Sequence, residues 1–314
     1  MDTLKVELAT ALPLREISSL TTRTGSTAKL ELLAVGDEDF AVMKAELQDG
    51  VPGDTFRYDL FLPLVGTGID LRGGSGFEGI ACDGEGSVYV LQEEESRILV
   101  FDRELTQLRH VVWLNVPEDT PGYGSDWYSK NGRNYRAEGL LLLAGGHVLV
   151  AKQKLPVYLI EFGPRGESPS GIRPETVVSG SDAFILQGGD ESSELVPLAS
   201  WELASSAAEA ITSLNDIAFG DDGRLYVISS EDRVLARLEK RLKPGEKAKA
   251  TARWSLDEDV PAARSRKPRG WRCCLISRPW LASTPRRRAT TSSSWSEAST
   301  ASSRHGLFLY SMKS

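Results

Sequence analysis

Four short stretches hold the residues best placed to do chemistry: Ile17-Ser18-Ser19-Leu20, Phe77-Glu78-Gly79-Ile80-Ala81, Ala137-Glu138-Gly139-Leu140-Leu141 and Leu214-Asn215-Asp216-Ile217-Ala218. Each sets a polar residue at the head of an apolar run. The heads, Ser18, Glu78, Glu138 and Asn215, lie 60, 60 and 77 residues apart. If the fold brings them together, their carboxylates repel one another unless a cation or protons compensate. Hard oxygen donors of this kind suit Ca²⁺ or Mg²⁺, which makes Glu78, Glu138 and Asn215 candidate metal ligands. The plainer alternative is that these groups cap strand backbone or hold water.

Such residues need a scaffold that repeats. Behind each head comes a tight turn and a second apolar run: Asp83-Gly84-Glu85-Gly86 before Ser87–Gln92, Gly145-Gly146 before His147–Lys152, and Asp221-Asp222-Gly223 before Leu225–Ser229. Gly and Asp supply the backbone freedom and local hydrogen bonds that hairpin turns require. Two further runs complete each unit. The first unit is Ile17–Leu20, Leu30–Val35, Phe40–Leu47 and Phe56–Leu62. The second is Gly79–Cys82, Ser87–Gln92, Ile98–Asp102 and Leu108–Val116. The third is Gly139–Leu143, His147–Lys152, Val157–Phe162 and, after a long insertion, Leu195–Leu203. The fourth is Ile217–Gly220, Leu225–Ser229, Val234–Leu238 and Ala250–Leu256. Four-stranded antiparallel units in tandem predict an all-β fold, a β-propeller. The spacing favours five blades, with six requiring a hidden blade inside Pro164–Ile211. The segment Lys5–Pro13 matches the fourth strands and is expected to close the last blade, leaving no bare edge.

In a propeller the innermost strand starts, and the second strand ends, on one face of the disc. The mouth of the axial channel should therefore also receive Asp37, Glu93, Gln153 and Ser230. Ser18, Glu93, Gln153 and Ser230 are candidate ligand-binding residues. The Glu93-Glu94-Glu95 run read alone is a solvated turn. The loop Pro117–Ala137 reaches the same face with Trp127, Tyr128, Arg133 and Arg136, rings and guanidinium groups able to hold an anionic ligand; a packed loop is the alternative. His110, His147 and His305 lie away from the motif, and no Ser-His-Asp, CxxC or HExxH arrangement is evident.

Composition sets outer bounds. No apolar run approaches the roughly 18 residues of a membrane span, and the N-terminus shows no secretory signal. Three cysteines make no disulfide framework, so a reducing cytoplasm is expected. From Arg264 to Ser314 there are eleven Lys and Arg and one acid, Glu297; the first 263 residues carry 26 basic and 43 acidic groups. An acidic body argues against nucleic acid as partner, and a monomer binding a small molecule or cation is expected. The strand pattern ends at Ala263. Residues 264–314 are rich in Ser and Arg and read as a disordered tail. Yet a last blade belongs there. Lys267-Pro268-Arg269-Gly270-Trp271-Arg272-Cys273 can be encoded by AAG CCG AGG GGC TGG CGG TGC, and the same bases read from the third position give Ala-Glu-Gly-Leu-Ala-Val. That is the repeat motif again, so this segment is expected to be a frame-shifted last blade, the alternative being a true basic tail.

With these motifs in hand, the chain resembles the SdiA-regulated-like and esterase-like-phytase-like propellers of bacteria. The likeness rests on Glu16-Ile17-Ser18-Ser19-Leu20, Ala34-Val35-Gly36-Asp37-Glu38, Phe77-Glu78-Gly79-Ile80-Ala81, Ala137-Glu138-Gly139-Leu140 and Leu149-Val150-Ala151-Lys152. More distantly, Leu214-Asn215-Asp216-Ile217-Ala218-Phe219 with Asp222-Gly223-Arg224-Leu225-Tyr226-Val227 is similar to the gluconolactonase group. That second resemblance implies an axial divalent ion on Glu78, Glu138 and Asn215, with Asp216 or Asp37 as general base, and usually six blades. The first implies a propeller whose members mostly lack an established activity. Three alternative functions are expected: a binding propeller, a metal-dependent lactone or ester hydrolase, and a protein-interaction scaffold.

Overall fold

The computed structural model describes residues 2–4, 6–25, 29–48, 51–127, 136–178, 182–186, 192–203, 211–256 and 305–310. Two strands open the chain, β1 (Asp2–Leu4) and β2 (Val6–Leu12). The first unit is β3 (Ile17–Thr24), β4 (Leu30–Gly36), β5 (Asp39–Gln48) and β6 (Val51–Asp59), followed by one helical turn, α1 (Phe61–Leu64). The second is β7 (Phe77–Cys82), β8 (Val88–Gln92), β9 (Arg97–Phe101) and β10 (Leu108–Leu114), followed by the helical turn α2 (Gly124–Trp127). The third is β11 (Ala137–Leu143), β12 (His147–Lys152), β13 (Tyr158–Gly163) and β14 (Ser192–Glu202). The fourth is β15 (Asp216–Phe219), β16 (Leu225–Ser229), β17 (Val234–Leu238) and β18 (Ala250–Leu256), and β19 (His305–Tyr310) comes last.

Each strand expected from the turn pattern in the four units is present, with the expected bounds at His147–Lys152, Leu225–Ser229, Val234–Leu238 and Ala250–Leu256 and shifted ends elsewhere. The largest shift closes the first unit, where Phe61–Leu64 turns helical instead of extending the strand. Pro63 explains it, since proline cannot donate to a ladder but is tolerated in a first helical turn.

The second strands show how the sheets stack. Successive strand residues point to opposite faces, and in these second strands both faces are buried. In β8, Val88 and Val90 join one apolar layer and Tyr89 and Leu91 the next. In β12, Val148 and Val150 share the layer of Tyr89, while Leu149 and Ala151 join Leu225 and Val227 of β16. Leu33 and Val35 of β4 face β8, and Leu32 and Ala34 face Leu12 and Leu14. The core is therefore a series of layers between radially set sheets. The first strands of consecutive units, β3, β7, β11 and β15, pack side by side. This is a propeller-like arrangement.

Outer strands are shared between units. β14 pairs with β13 through Val196–Glu202 and, through Ser192–Leu195, runs parallel to β10, joining the second and third units into one eight-stranded sheet. β1 lies parallel to β18. β2, expected as an outer strand of the last blade, pairs antiparallel with β19. Apart from β19, the expectations for 264–314 fall outside the described residues.

The insertion after Gly163 contributes no blade in its described part. It runs across the end of the sheets opposite the motif heads. Ala144 and Val178 exchange backbone bonds with Thr176 and Leu142, Ile172 pairs with Leu242 of the fourth unit, and Gly84 of the second donates to Asp182. Phe184 meets Tyr89 edge-on. We refer to it as the strap. Among the described residues no helix is long and apolar enough to cross a membrane.

Candidate functional site

The four motif heads begin the inner strands at one end of the molecule, and all are buried: Ser18, Glu78, Glu138 and Asn215. A bulge at this point re-aims the chain. The ladder slips at Ser18 in β3, at Glu78 in β7 and at Gly139 in β11. The residue after each head is small or short for a reason. A Cβ on Gly79 would lie 3.1 Å from the Gly139 carbonyl carbon, and one on Gly139 only 2.8 Å from the Ile217 nitrogen. Ser19 takes the same place in β3, accepting from the Ile80 N–H at 3.2 Å and donating to Asp216 Oδ1 at 3.3 Å. The inner strands thus converge on the axis one residue below the heads.

Asp37, Glu93, Gln153 and Ser230 all lie at this end, and the first three stitch unit to unit. Asp37 N–H donates to Glu16 O and its carbonyl accepts from Gly76 N–H. Glu93 N–H donates to Gly76 O, and its Oε1 accepts from Arg136 N–H at 3.0 Å. Gln153 N–H donates to Arg136 O and its carbonyl accepts from Leu214 N–H. Ser230 donates to Asn215 Oδ1 through both its N–H (2.8 Å) and its hydroxyl (2.7 Å). This zigzag crosses all four units. Glu93 is buried within it, whereas Glu94 and Glu95 are exposed in the turn that follows, so the expected solvated turn holds for those two and not for Glu93.

Asn215 Oδ1 already accepts two hydrogen bonds. Among the described residues no three His, Cys, Asp or Glu side chains group closely enough to hold a metal ion. Asp216 is 1% exposed, and its Oδ1 accepts from Ile217 N–H and the Ser19 hydroxyl. Asp37 is partly exposed at the rim. Trp127, expected to meet a ligand, is fully buried against Phe162 and Tyr123, with its indole N–H on Ser96 Oγ. Arg136 is buried at the mouth and donates to Glu94 O. Tyr128 and Arg133 lie outside the described residues.

Two buried side-chain atoms at the mouth make no hydrogen bond among the described residues, the Arg136 Nε donor and the Gln153 Oε1 acceptor. Gln153 is 7% exposed, and its Oε1 accepts no hydrogen bond. Beside it, Lys152 Nζ is buried and held by the carbonyls of Lys154 and Pro156; burial pulls its pKa down.

A second polar cluster, unforeseen from the sequence, lies at the opposite end. His147 Nδ1 is 2.7 Å from Glu161 Oε1 and 3.3 Å from Ser170 Oγ, and Nε2 is 2.9 Å from Glu167 Oε2. Glu167 and Ser170 do stand on different ring nitrogens, as a serine-hydrolase triad requires, but the 2.7 Å contact with Glu161 occupies Nδ1 ahead of Ser170 at 3.3 Å. Glu161 also accepts from the N–H groups of Ser170 and Gly171. The arrangement fastens the strap. Hydrogen bonding to Glu161 raises the His147 pKa, helped by Glu167 and opposed by burial. The only sequence signal was a histidine at the start of an apolar strand.

No protein-family model matches the sequence and no curated protein is significantly similar to it. Among solved structures, it is similar to virginiamycin B lyase from Staphylococcus aureus, with 9% identity, a TM-score of 0.36 and coverage of 74% of this chain and 56% of that one. It is similar to Myxococcus xanthus glutaminyl cyclase at 12% identity and a TM-score of 0.43, covering 88% and 90%. The chain thus spans little more than half the length of the lyase, and neither likeness bears on activity.

Proposed function

We propose that this protein is a cytoplasmic propeller of five blades that binds a small, donor-rich ligand at the mouth of the inner strands. Its fifth blade would combine β2 and β19 with chain beyond Leu256. The observation that carries the reading is the Gln153 Oε1, which has no hydrogen-bond partner among the described residues. A buried acceptor without a donor costs roughly 1–3 kcal/mol, and a native fold tolerates few of these. Glu78, Glu138 and Glu93 add further acceptor oxygens at the same end. A ligand matching such a lining offers hydroxyl or ammonium groups.

The test is thermal unfolding with δ-gluconolactone, a polyhydroxylated probe, and separately with Ca²⁺, both at millimolar concentration. Binding to the folded state raises the melting temperature by linkage. A shift is expected with the polyol, lost in Gln153→Leu, and none with Ca²⁺. A Ca²⁺ shift abolished by Glu78→Gln would replace this reading with a cation site, and turnover of the lactone would make the protein a hydrolase.

A further inference from the structure

The outer edge of the first unit is dressed differently from the others. In the second and fourth units the outer strand carries a parallel neighbour from elsewhere in the chain: β14 on β10, and β1 on β18. β6 is the edge of its sheet and pairs only with β5 among the described residues. It is nine residues long, with no residue buried along it. Exposed large apolar side chains concentrate on and just after this strand. Val51, Phe56, Phe61, Leu62 and Val65 are five of the eight found among the described residues, with Leu62 84% and Phe56 58% exposed. An unpaired edge strand templates pairing with another chain, and Val51 and Phe56 are the exposed large apolar residues on this one.

We propose that β6 is a dimerisation edge, pairing antiparallel with β6 of a second copy about a two-fold axis at Phe56. The register follows from the side chains. A two-fold axis perpendicular to the sheet pairs only residues pointing to the same face, and the dyad at Phe56 sets Phe56 against its own copy. It then sets Tyr58 against Asp54 and Arg57 against Thr55. Lys44, which also pairs with Glu31, has its Nζ 5.2 Å from the Tyr58 ring centroid. Asp54 of the second copy therefore meets a cation across the interface. A dyad at Arg57 would instead oppose two like charges, which destabilises a cross-strand pair. A closed two-fold contact also consumes both edges, so pairing stops at two. Pro52 and Gly53 near the start of the strand discourage longer pairing.

The experiment is sedimentation equilibrium of the full chain across a concentration series. Wild type is expected to move from monomer to dimer mass. Phe56→Glu places like charges at the dyad and should weaken the dimer at least about tenfold, a change of about 1.4 kcal/mol. Phe56→Lys should do the same, and an equimolar mixture of the two variants should recover the dimer. Phe56 is exposed, so both variants should keep the wild-type melting temperature at low concentration. A wild type that stays monomeric, as it would if an unrelated peptide or residues 257–304 covered the edge, overturns the proposal. So does a dimer unmoved by Phe56→Glu, or a mixture that stays monomeric.

Discussion

His147 shows how much a single side chain can hold. It sits between Glu161 on the neighbouring strand and Glu167 on the strap, and these two carboxylates are the charged groups that act on it among the described residues. Its folded pKa is raised, so its contribution is complete below the ordinary imidazole value of about 6.5 and disappears as pH rises through the folded value. Melting temperature should therefore fall as pH is taken from mildly acidic to mildly alkaline. In His147→Gln that portion of the slope should vanish; an unchanged slope would place the titration elsewhere. This cluster was illegible in the sequence because its members come from a strand and a strap that only the fold brings together. Glu93 was misread for a similar reason. An acidic run after a strand looks solvated, and only the approach of Arg136 N–H shows otherwise for Glu93.

At the scale of the element, the Glu-Gly pair marked inner strands correctly, but its glycine does more than turn the chain. Gly139 has φ +65° and stands against Asp216 and Ile217 of the next unit. Gly139→Ala should cost about 2–4 kcal/mol, from left-handed strain and a backbone clash together. Gly79→Ala should cost less, because its φ is not in the left-handed region and its nearest contacts are 3.1 Å. Chemical denaturation of the two variants checks the order, and equal losses would refute it. The strand pattern was legible because turn residues and apolar runs are local. The roles of Asp37, Glu93 and Gln153 were not, because their stitching bonds use mainly backbone groups, which sequence does not distinguish.

For the whole molecule, the sheet layers run in order from the one holding Leu12 and Leu14 to a small one of Tyr226, Ile228, Leu235 and Leu256. These two end layers are where a ring would have to close. If the coding frame after Ala263 is shifted, restoring it should add apolar cover at that gap and raise the melting temperature; no change would support a genuine basic tail. The axial arrangement itself was legible from spacing alone, whereas the strap was not, because its described part has no periodic pattern to read. The alternation of β4, β8, β12 and β16 carries a consequence for heredity. Six residues separate Phe101 from Leu108 and 28 separate Gly163 from Ser192, yet both pairs of strands meet in the same way. One residue added inside β8 would instead exchange Val90 and Leu91 between two layers, and every later side chain of that strand with them. Lineages of this chain can thus lengthen by loops almost freely, while their second strands are held to a fixed count.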